Sequence, residues 1–455
     1  MTQTSAHPLA VVILAAGQGT RMRSNLPKVL HPVGGRAMLD WAIDAAQAAH
    51  AARTVVVAGP HAPQVRAHAQ GRLGEDGVVI QPEPLGTGHA VRAAEAALAG
   101  FEGDVAVIYA DTPLIRGAHI ARLQALRGGA ELAVLGFEAA DPAGYGRLIR
   151  SPDGWLERIV EEKDASPEEK RVTLCNSGVL LAPASQLWRL LGQVTNQNAK
   201  GEYYLTDVVG LARAAGLRVA VALGEEADVL GVNSRAQLAQ AEAAFQGQAR
   251  AEAMQAGATL MDPNTIYFSF DTALAQDVVV EPNVFFGPGV RVEQGARIRA
   301  FSHLEGAAIG PGCEVGPFAR LRPGALLEEG AKVGNFVEVK NTRLGKGAKA
   351  SHLAYLGDAE IGARANIGAG AITCNYDGFA KHKTIIGEEA FIGSDTALVA
   401  PVRVGARAYT GTGSVITRDV ADGALAVARG RQRELEGWAE RFRAKAAAAK
   451  KGGEA

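Results

Sequence analysis

The sequence predicts two domains in series: an α/β Rossmann-like domain with a mainly parallel sheet, then a left-handed parallel β-helix. Three observations carry this. From Val11 to about Gly224, continuous apolar runs alternate with amphipathic helical ones, the pattern of strands covered on both faces by crossover helices. Further along, aliphatic residues recur every sixth position: Ile309, Val315, Leu321, Leu327, Val333 and Val339, then Ile386, Ile392, Leu398 and Val404, with Val292, Ile298 and Leu304 before them. That period suits neither a helix nor an alternating strand; it suits a coil of three hexads around a triangular core. Finally, 455 residues exceed one ordinary core.

Taken in order, the strand candidates of the first domain are VVILAA (11–16), TVVVA (54–58), VVIQ (78–81) and DVAVIYAD (104–111). MLDWAIDAAQAAH (38–50) and HAVRAAEAALAG (89–100) read as helices between them. YGRLIRSPDGWLERIVE (145–161) reads as a hairpin turned at Ser-Pro-Asp-Gly. The first domain spans 1–235. A run of strong helix formers then makes a helical linker over 236–256. The β-helix occupies 257–455. Its six-residue phase slips near 343–351 and 375–384, where loops are expected to leave the coil, and the tail from 433 starts as helix and frays into low complexity.

Composition excludes several classes. With 47 Lys+Arg against 48 Asp+Glu, nothing favours nucleic acid or an anionic membrane surface. Three scattered cysteines fit a reducing compartment and no thiolate zinc site. The N-terminus MTQTSAHPLA lacks a basic n-region, and no uncharged apolar stretch approaches the ~20 residues of a membrane span. The expectation is a soluble cytoplasmic protein.

The chemistry concentrates in two constellations. VVILAAGQGTRMRSNLPK (11–28) is a buried strand, a glycine-broken turn and a basic loop. It fits neither the dinucleotide fingerprint nor the P-loop, because Met22 stands where a last glycine belongs and no Gly-Lys-Ser/Thr follows. Glycines still let backbone amides around Ala15–Gly19 approach anionic oxygens, with Arg21 and Lys28 adding charge; the plain alternative is a tight turn with solvated cations. QPEPLGTGHA (81–90) supplies a second glycine turn, where Gln81 can read a base edge and Gly86 and Thr87 can lie under it. Asp111 ends an apolar strand and suits Mg²⁺, which takes few protein ligands beside phosphates; it could otherwise cap a helix. In the β-helix, FARLRPG (318–324), NFVEVKN (335–341), SHLAYLGD (351–358) and NIGAGAITCNYDG (366–378) place polar groups where a coil needs only spacers. His352 stands among them, a base of suitable pKa for acyl transfer to an amine.

LAAGQGTRM…LPK, LGTGHA, YADTPL, GYGR, EEKDA and NSG, joined to a hexapeptide β-helix, resemble the bacterial family of bifunctional N-acetylglucosamine-1-phosphate uridylyltransferases/glucosamine-1-phosphate acetyltransferases, from about Val11 to Trp438. The resemblance implies acetylation of glucosamine 1-phosphate by acetyl-CoA, then uridylyl transfer from UTP, giving UDP-N-acetylglucosamine for peptidoglycan and lipopolysaccharide precursors. It implies Leu14, Ala15, Ala16, Gly17 and Lys28 at the nucleotide and its phosphates, Gln81, Gly86 and Thr87 at uracil, and Tyr109, Ala110 and Asp111 beside them. It further implies Asp111 and Asn233 on Mg²⁺, and Gly146, Glu161 and Asn176 on the sugar. For acetyl transfer it implies His352 as the base, Arg322, Lys340, Tyr355 and Asn366 on the sugar phosphate, and Ala369, Asn375, Tyr376, Ser394, Thr412 and Arg429 around acetyl-CoA. Family members more often carry alanine at the position of Thr412. Glu338 could orient either the sugar amine or the histidine. The resemblance also implies a homotrimer with acetyl-transfer sites between subunits. Related nucleotidyltransferases that use a β-helix only for assembly lack the RLRPG…VK…HLAYLGD…NYDG set present here. A scaffold with a degenerate nucleotide fold would not need Lys28, Asp111 and Asn233 together.

Overall fold

The computed structural model describes residues 7–198 and 200–452; the reading of the first six residues and of the last three falls outside them. The chain divides into two compact units, residues 1–253 with 268–271, and 254–267 with 272–455.

In the first unit, β1 (Leu9–Ala15) is buried at all seven positions. Leu9, Val11, Ile13 and Ala15 enter one apolar core, while Ala10, Val12 and Leu14 enter the other. A strand shared by two cores has no polar face, which is why its sequence reads as one apolar run. A short ribbon follows, β2 (Pro32–Val33) with β3 (Arg36–Ala37), then β4 (Arg53–Ala58), β5 (Val78–Ile80), β6 (Asp104–Tyr109), β7 (Leu132–Glu138), β8 (Arg147–Arg150), β9 (Leu156–Val160), β10 (Leu174–Pro183) and β11 (Val219–Leu223). The main sheet runs β11-β7-β10-β6-β1-β4-β5, with β8 and β9 attached beside β10. All neighbours along this path are parallel except β10, antiparallel to both β6 and β7. The hairpin β8–β9 forms as expected, Gly154 donating to the carbonyl of Ser151. The helix expected over 89–100 is shorter: it starts at Thr87, ends at Ala93, and gives way to a 3₁₀ turn at Ala96–Leu98.

The helices are α1 (Met38–Ala48), α2 (Pro63–Leu73), α3 (Thr87–Ala93), α4 (Gly117–Leu126), α5 (Ala184–Leu191), α6 (Asp207–Ala214), α7 (Arg235–Gln255) and α8 (Trp438–Gly452). Although α7 has the composition of a connector, it packs on the first unit. Ala241 and Phe245 join Met22, Val33, Met38, Leu114 and Val232 in one cluster. Gln246 brackets Phe268, its Nε2 donating to the carbonyl and its Oε1 accepting from the amide. The expected fraying of the alanine-lysine stretch is not what its described part does, since α8 runs on to Gly452. Among the described residues no helix is long and apolar enough to cross a membrane.

In the second unit, short parallel strands stack into ladders, one of ten strands from Thr259–Leu260 to Leu425–Ala426. Ile298 pairs with Val315 and Val315 with Val333, so one coil takes 17 or 18 residues. The two phase slips differ in origin. At the first, Leu344 follows Val339 after five residues and still stacks on Leu327. No loop leaves there, against expectation, because the strand Glu338–Leu344 carries the chain round the corner. At the second slip a loop does leave the coil: Tyr376 bridges Lys381, and Phe379 at its tip is 98% exposed.

Candidate active sites

The first site sits at the carboxyl ends of the parallel strands, where open α/β sheets bind ligands. A cavity of about 250 Å³ is lined by Leu14, Ala15, Ala16 and Gly17 after β1, by Lys28, by Gln81, Gly86 and Thr87, and by Tyr109 and Asp111 after β6. A second cavity of about 510 Å³ shares Ala16, Gly17, Gln81 and Pro84 with it. Gly19 lies in the left-handed region (φ +62°), and a Cβ there would meet the Cβ of Lys28 at 2.5 Å. Glycine at 19 therefore lets the loop fold over Lys28, which is only 9% exposed. The Lys28 ammonium ion-pairs with Asp111 and donates to Asn233 Oδ1 at 3.0 Å. Asn233 is delivered by a strap, the amide of Val232 donating to the carbonyl of Asp111 at 2.8 Å. The helix-capping role open to Asp111 is not taken; the Thr112 hydroxyl bonds the Tyr109 carbonyl instead.

Ala110 is fully buried beneath this floor. Gly146, Glu161 and Asn176 do not line the cavity; they lie on the β8–β9 side. The Asn176 amide donates to the Gly146 carbonyl at 2.8 Å, and Asn176 Oδ1 accepts from Gly178 across a bulge in β10. Tyr109 closes over that bulge: a Cβ on Gly178 (φ +89°) would meet its ring at 2.7 Å. Burial raises the Glu161 carboxyl pKa, opposed by a hydrogen bond from the Thr206 hydroxyl at 3.3 Å. Burial also pushes the Tyr109 phenol well up, helped by the charges of Asp111 and Glu161. Glu202 lines the cavity as well; it stands in GEYYLTD (201–207), a run that also fits the resembled family, and the sequence alone gives it no role of its own.

In the β-helix, His352 is exposed and its Nδ1 pairs with Asn335 Oδ1 at 2.7 Å, one coil below. Sequence reasoning assigned Asn335 no role. Arg322 Nη1 donates to Glu338 Oε1 at 2.8 Å, and Glu338 stacks opposite Tyr355; in this chain Glu338 is tied to Arg322 rather than to His352. Lys340 lies 4.0 Å from Asp358, which also holds Asn341 and Asn375. Tyr355 and Asn375 crowd over Gly357, where a Cβ would meet the Asn375 Nδ2 at 2.7 Å. Lys381 faces Lys340, and a hydrogen bond between the two amines, together with the Lys340 charge, lowers the Lys381 pKa. Asn366 lies two residues before Gly368 and near Ala369, whose carbonyl accepts from Asp395 beside Ser394. Tyr376 is exposed at the base of the departing loop, its hydroxyl donating to the Gly378 carbonyl. Arg429 Nη1 donates to the Thr412 carbonyl at 2.8 Å, a contact made through backbone that leaves the threonine side chain exposed.

Comparison with known proteins agrees with this geometry. The model of the MobA-like NTP transferase domain matches residues 11–173. Curated relatives span nearly the whole chain. The bifunctional protein GlmU of Hyphomonas neptunium is 59% identical over 97% of this chain and 96% of its own. That of Caulobacter vibrioides is 56% identical over 98% and 97%, and that of Sphingopyxis alaskensis 54% over 96% of each. With an α/β unit built around a glycine loop and a β-helix carrying its own polar cluster, and with such relatives end to end, the chain belongs to the GlmU family of bifunctional transferases.

Proposed function

We propose that the two units act in turn on one sugar. The chain is both an N-acetyltransferase and a nucleotidyltransferase. In the β-helix, the amine of glucosamine 1-phosphate attacks the thioester carbonyl of acetyl-CoA; the amide bond forms, the C–S bond breaks, and His352 Nε2 takes the amine proton. Asn335, accepting from Nδ1, leaves Nε2 as the basic nitrogen. Arg322, Lys340, Tyr355 and Asn366 hold the sugar phosphate, and Ala369, Asn375, Tyr376, Ser394, Thr412 and Arg429 hold acetyl-CoA.

In the α/β unit, a phosphate oxygen of N-acetylglucosamine 1-phosphate attacks the α-phosphorus of UTP in line, and pyrophosphate leaves. Leu14–Gly17 and Lys28 cradle the phosphates, Gln81, Gly86 and Thr87 hold the base, and Gly146, Glu161 and Asn176 hold the sugar, with Tyr109 and Ala110 between. The observation that carries this reading is Lys28, one cation gripped by Asp111 and Asn233 together. Two oxygen donors that converge on an ammonium also fit Mg²⁺, which would supply charge neutralisation on the transferring phosphates. With those two oxygens occupied, Lys28 would pair with phosphate oxygens instead.

A homotrimer completes the acetyl-transfer site in this reading. Two features of the second unit support it. Phe301, Phe318 and Phe336 stack at 4.9 and 5.2 Å on one corner, each about half exposed and each at positive φ, an apolar row of the kind a neighbouring copy covers. Arg429 follows the last strand of the ladder that contains His352, four steps away, roughly 19 Å at ~4.8 Å per step. The free cysteines fit a reducing cytoplasm.

Assaying each half-reaction on purified variants tests the whole. Asp111→Asn abolishes uridylyl transfer and leaves acetyl transfer intact; His352→Ala does the reverse, by roughly 10²–10⁴-fold. An Asp111→Asn enzyme with normal uridylyl transfer would remove the metal assignment. For the trimer, His352→Ala and Arg429→Ala chains refolded together recover acetyl transfer that neither has alone; mixed trimers without recovery place both residues in one chain's site.

A further inference from the structure

Gln81 is assigned above to the base, and its amide is held in one orientation by two acceptors. Its Nε2 donates to the Gly86 carbonyl at 3.1 Å and lies 3.2 Å from His89 Nδ1. A carbonyl can only accept, so the group facing Gly86 is the NH₂ end. An imidazole carrying its proton on Nε2 accepts the second amide hydrogen at Nδ1. Both amide hydrogens are then used, which leaves the carbonyl oxygen as the free end of a side chain that lines both adjoining cavities.

The two acceptors are themselves fixed. Gly88 donates to the Tyr203 carbonyl and Tyr203 to the Leu85 carbonyl, both at 2.8 Å, and the Leu205 amide donates to the Thr87 hydroxyl at 3.0 Å. Gly86 has φ +111°, and a Cβ there would meet the Tyr203 carbonyl oxygen at 2.6 Å. His89 is half-buried on the first turn of α3, its ring 6.4 Å from that of Tyr203. Thus the segment 202–205 holds loop 85–89, and the loop holds the amide.

We propose that His89 is a positioning residue for base selection: by fixing the Gln81 amide it turns an acceptor toward the pyrimidine and favours UTP over CTP. Uracil offers an imide N–H at N3, whereas cytosine offers a lone pair there, which an acceptor repels. This rests on reading the cavity as the nucleotide site. Without His89, the amide can rotate away from its two-point hold and present either end.

The test measures kcat and KM for UTP and for CTP with N-acetylglucosamine 1-phosphate and Mg²⁺, on the full chain. His89→Ala raises KM for UTP, changes kcat little, and narrows the UTP:CTP ratio of kcat/KM by roughly tenfold, the worth of one lost hydrogen bond. His89→Asn, whose carbonyl oxygen falls close to the place of Nδ1, keeps the ratio. Acetyl transfer and the melting curve report folding; if His89→Ala melts early, His89→Leu, which keeps the bulk, is read in its place. An unchanged ratio in a folded His89→Ala or His89→Leu enzyme overturns the proposal. Gln81→Leu separates the two levels. If it collapses the ratio while His89→Ala does not, only the positioning role fails; if it too leaves the ratio alone, the base-reading assignment fails with it.

Discussion

Replacing Lys28 with methionine keeps the bulk and deletes the charge between Asp111 and Asn233. Breaking a fully buried ion pair costs about 3–5 kcal/mol, and an exposed one about 0–1. Lys28 is 9% exposed and the Asp111 side chain 20%, so solvent reaches the carboxylate left behind. A loss of about 2 kcal/mol from the first unit is expected, between the two limits. Trp41, Trp155 and Trp188 lie in that unit and only Trp438 in the other, so tryptophan fluorescence during urea titration is weighted toward the first unit and reads the loss. Mg²⁺ then acts differently on the two proteins: in the parent a divalent ion must displace Lys28 from both oxygens, and in the variant it need not, so Mg²⁺ stabilises the variant more. Uridylyl transfer falls by roughly 10²–10³-fold, because charge growing on phosphate oxygens loses a preorganised cation. A Lys28→Met enzyme with parental turnover and the parental urea midpoint would return Lys28 to a solvated loop cation and sink the reasoning.

Two further outcomes follow from the same geometry. Asn335→Ala frees His352 Nδ1 and lowers kcat for acetyl transfer by about tenfold, less than loss of the base itself, with KM for glucosamine 1-phosphate unchanged; steady-state kinetics that match the parent would make the contact incidental. Glu161 gives a pH signature, because burial raises its carboxyl above 4.5 in the folded chain. A raised acid binds its proton more tightly when folded, so its stabilising contribution is complete below the unfolded pKa and is lost as pH rises through the folded one. Glu161→Gln therefore gains stability over the parent as pH rises above 4.5, with the gap closing in more acid solution, and loses uridylyl transfer. Urea midpoints at several pH values check the first effect, and a gap that widened toward acid would contradict it.

Much of the fold was legible because burial imposes periods. A strand shared by two cores, like β1, must be apolar throughout, and a triangular coil must point one aliphatic residue inward per side. The hairpin turn was legible for a local reason, since Gly154 supplies the positive φ at its end. The departures also have physical causes. α7 reads as a connector because only Ala241, Phe245 and Gln246 are buried along it, and so sparse a stripe does not announce what it packs on. The first phase slip looked like a loop because a five-residue side and an excursion break a period in the same way. Only the stacking of Leu344 on Leu327 tells them apart.

The residues that hold other residues in place were the least legible. His89 reaches Gln81 from the first turn of a helix to the end of a strand, and Asn335 reaches His352 across one coil, 17 positions away. The first pair joins two different elements and the second spans a whole coil, so the period of a single helix or strand pairs neither. Within a β-helix, however, the coil length itself becomes the neighbour spacing: Arg322 meets Glu338 and Arg320 meets Glu305 at separations of 15 or 16 residues, and Asn341 and Asn375 both meet Asp358 at 17. A polar residue 15–18 positions from a candidate base in such a domain is therefore its structural neighbour on the adjoining coil. By that rule NFVEVKN already contained the partner of His352, and the rule extends to any hexapeptide coil in which the base alone has been picked out.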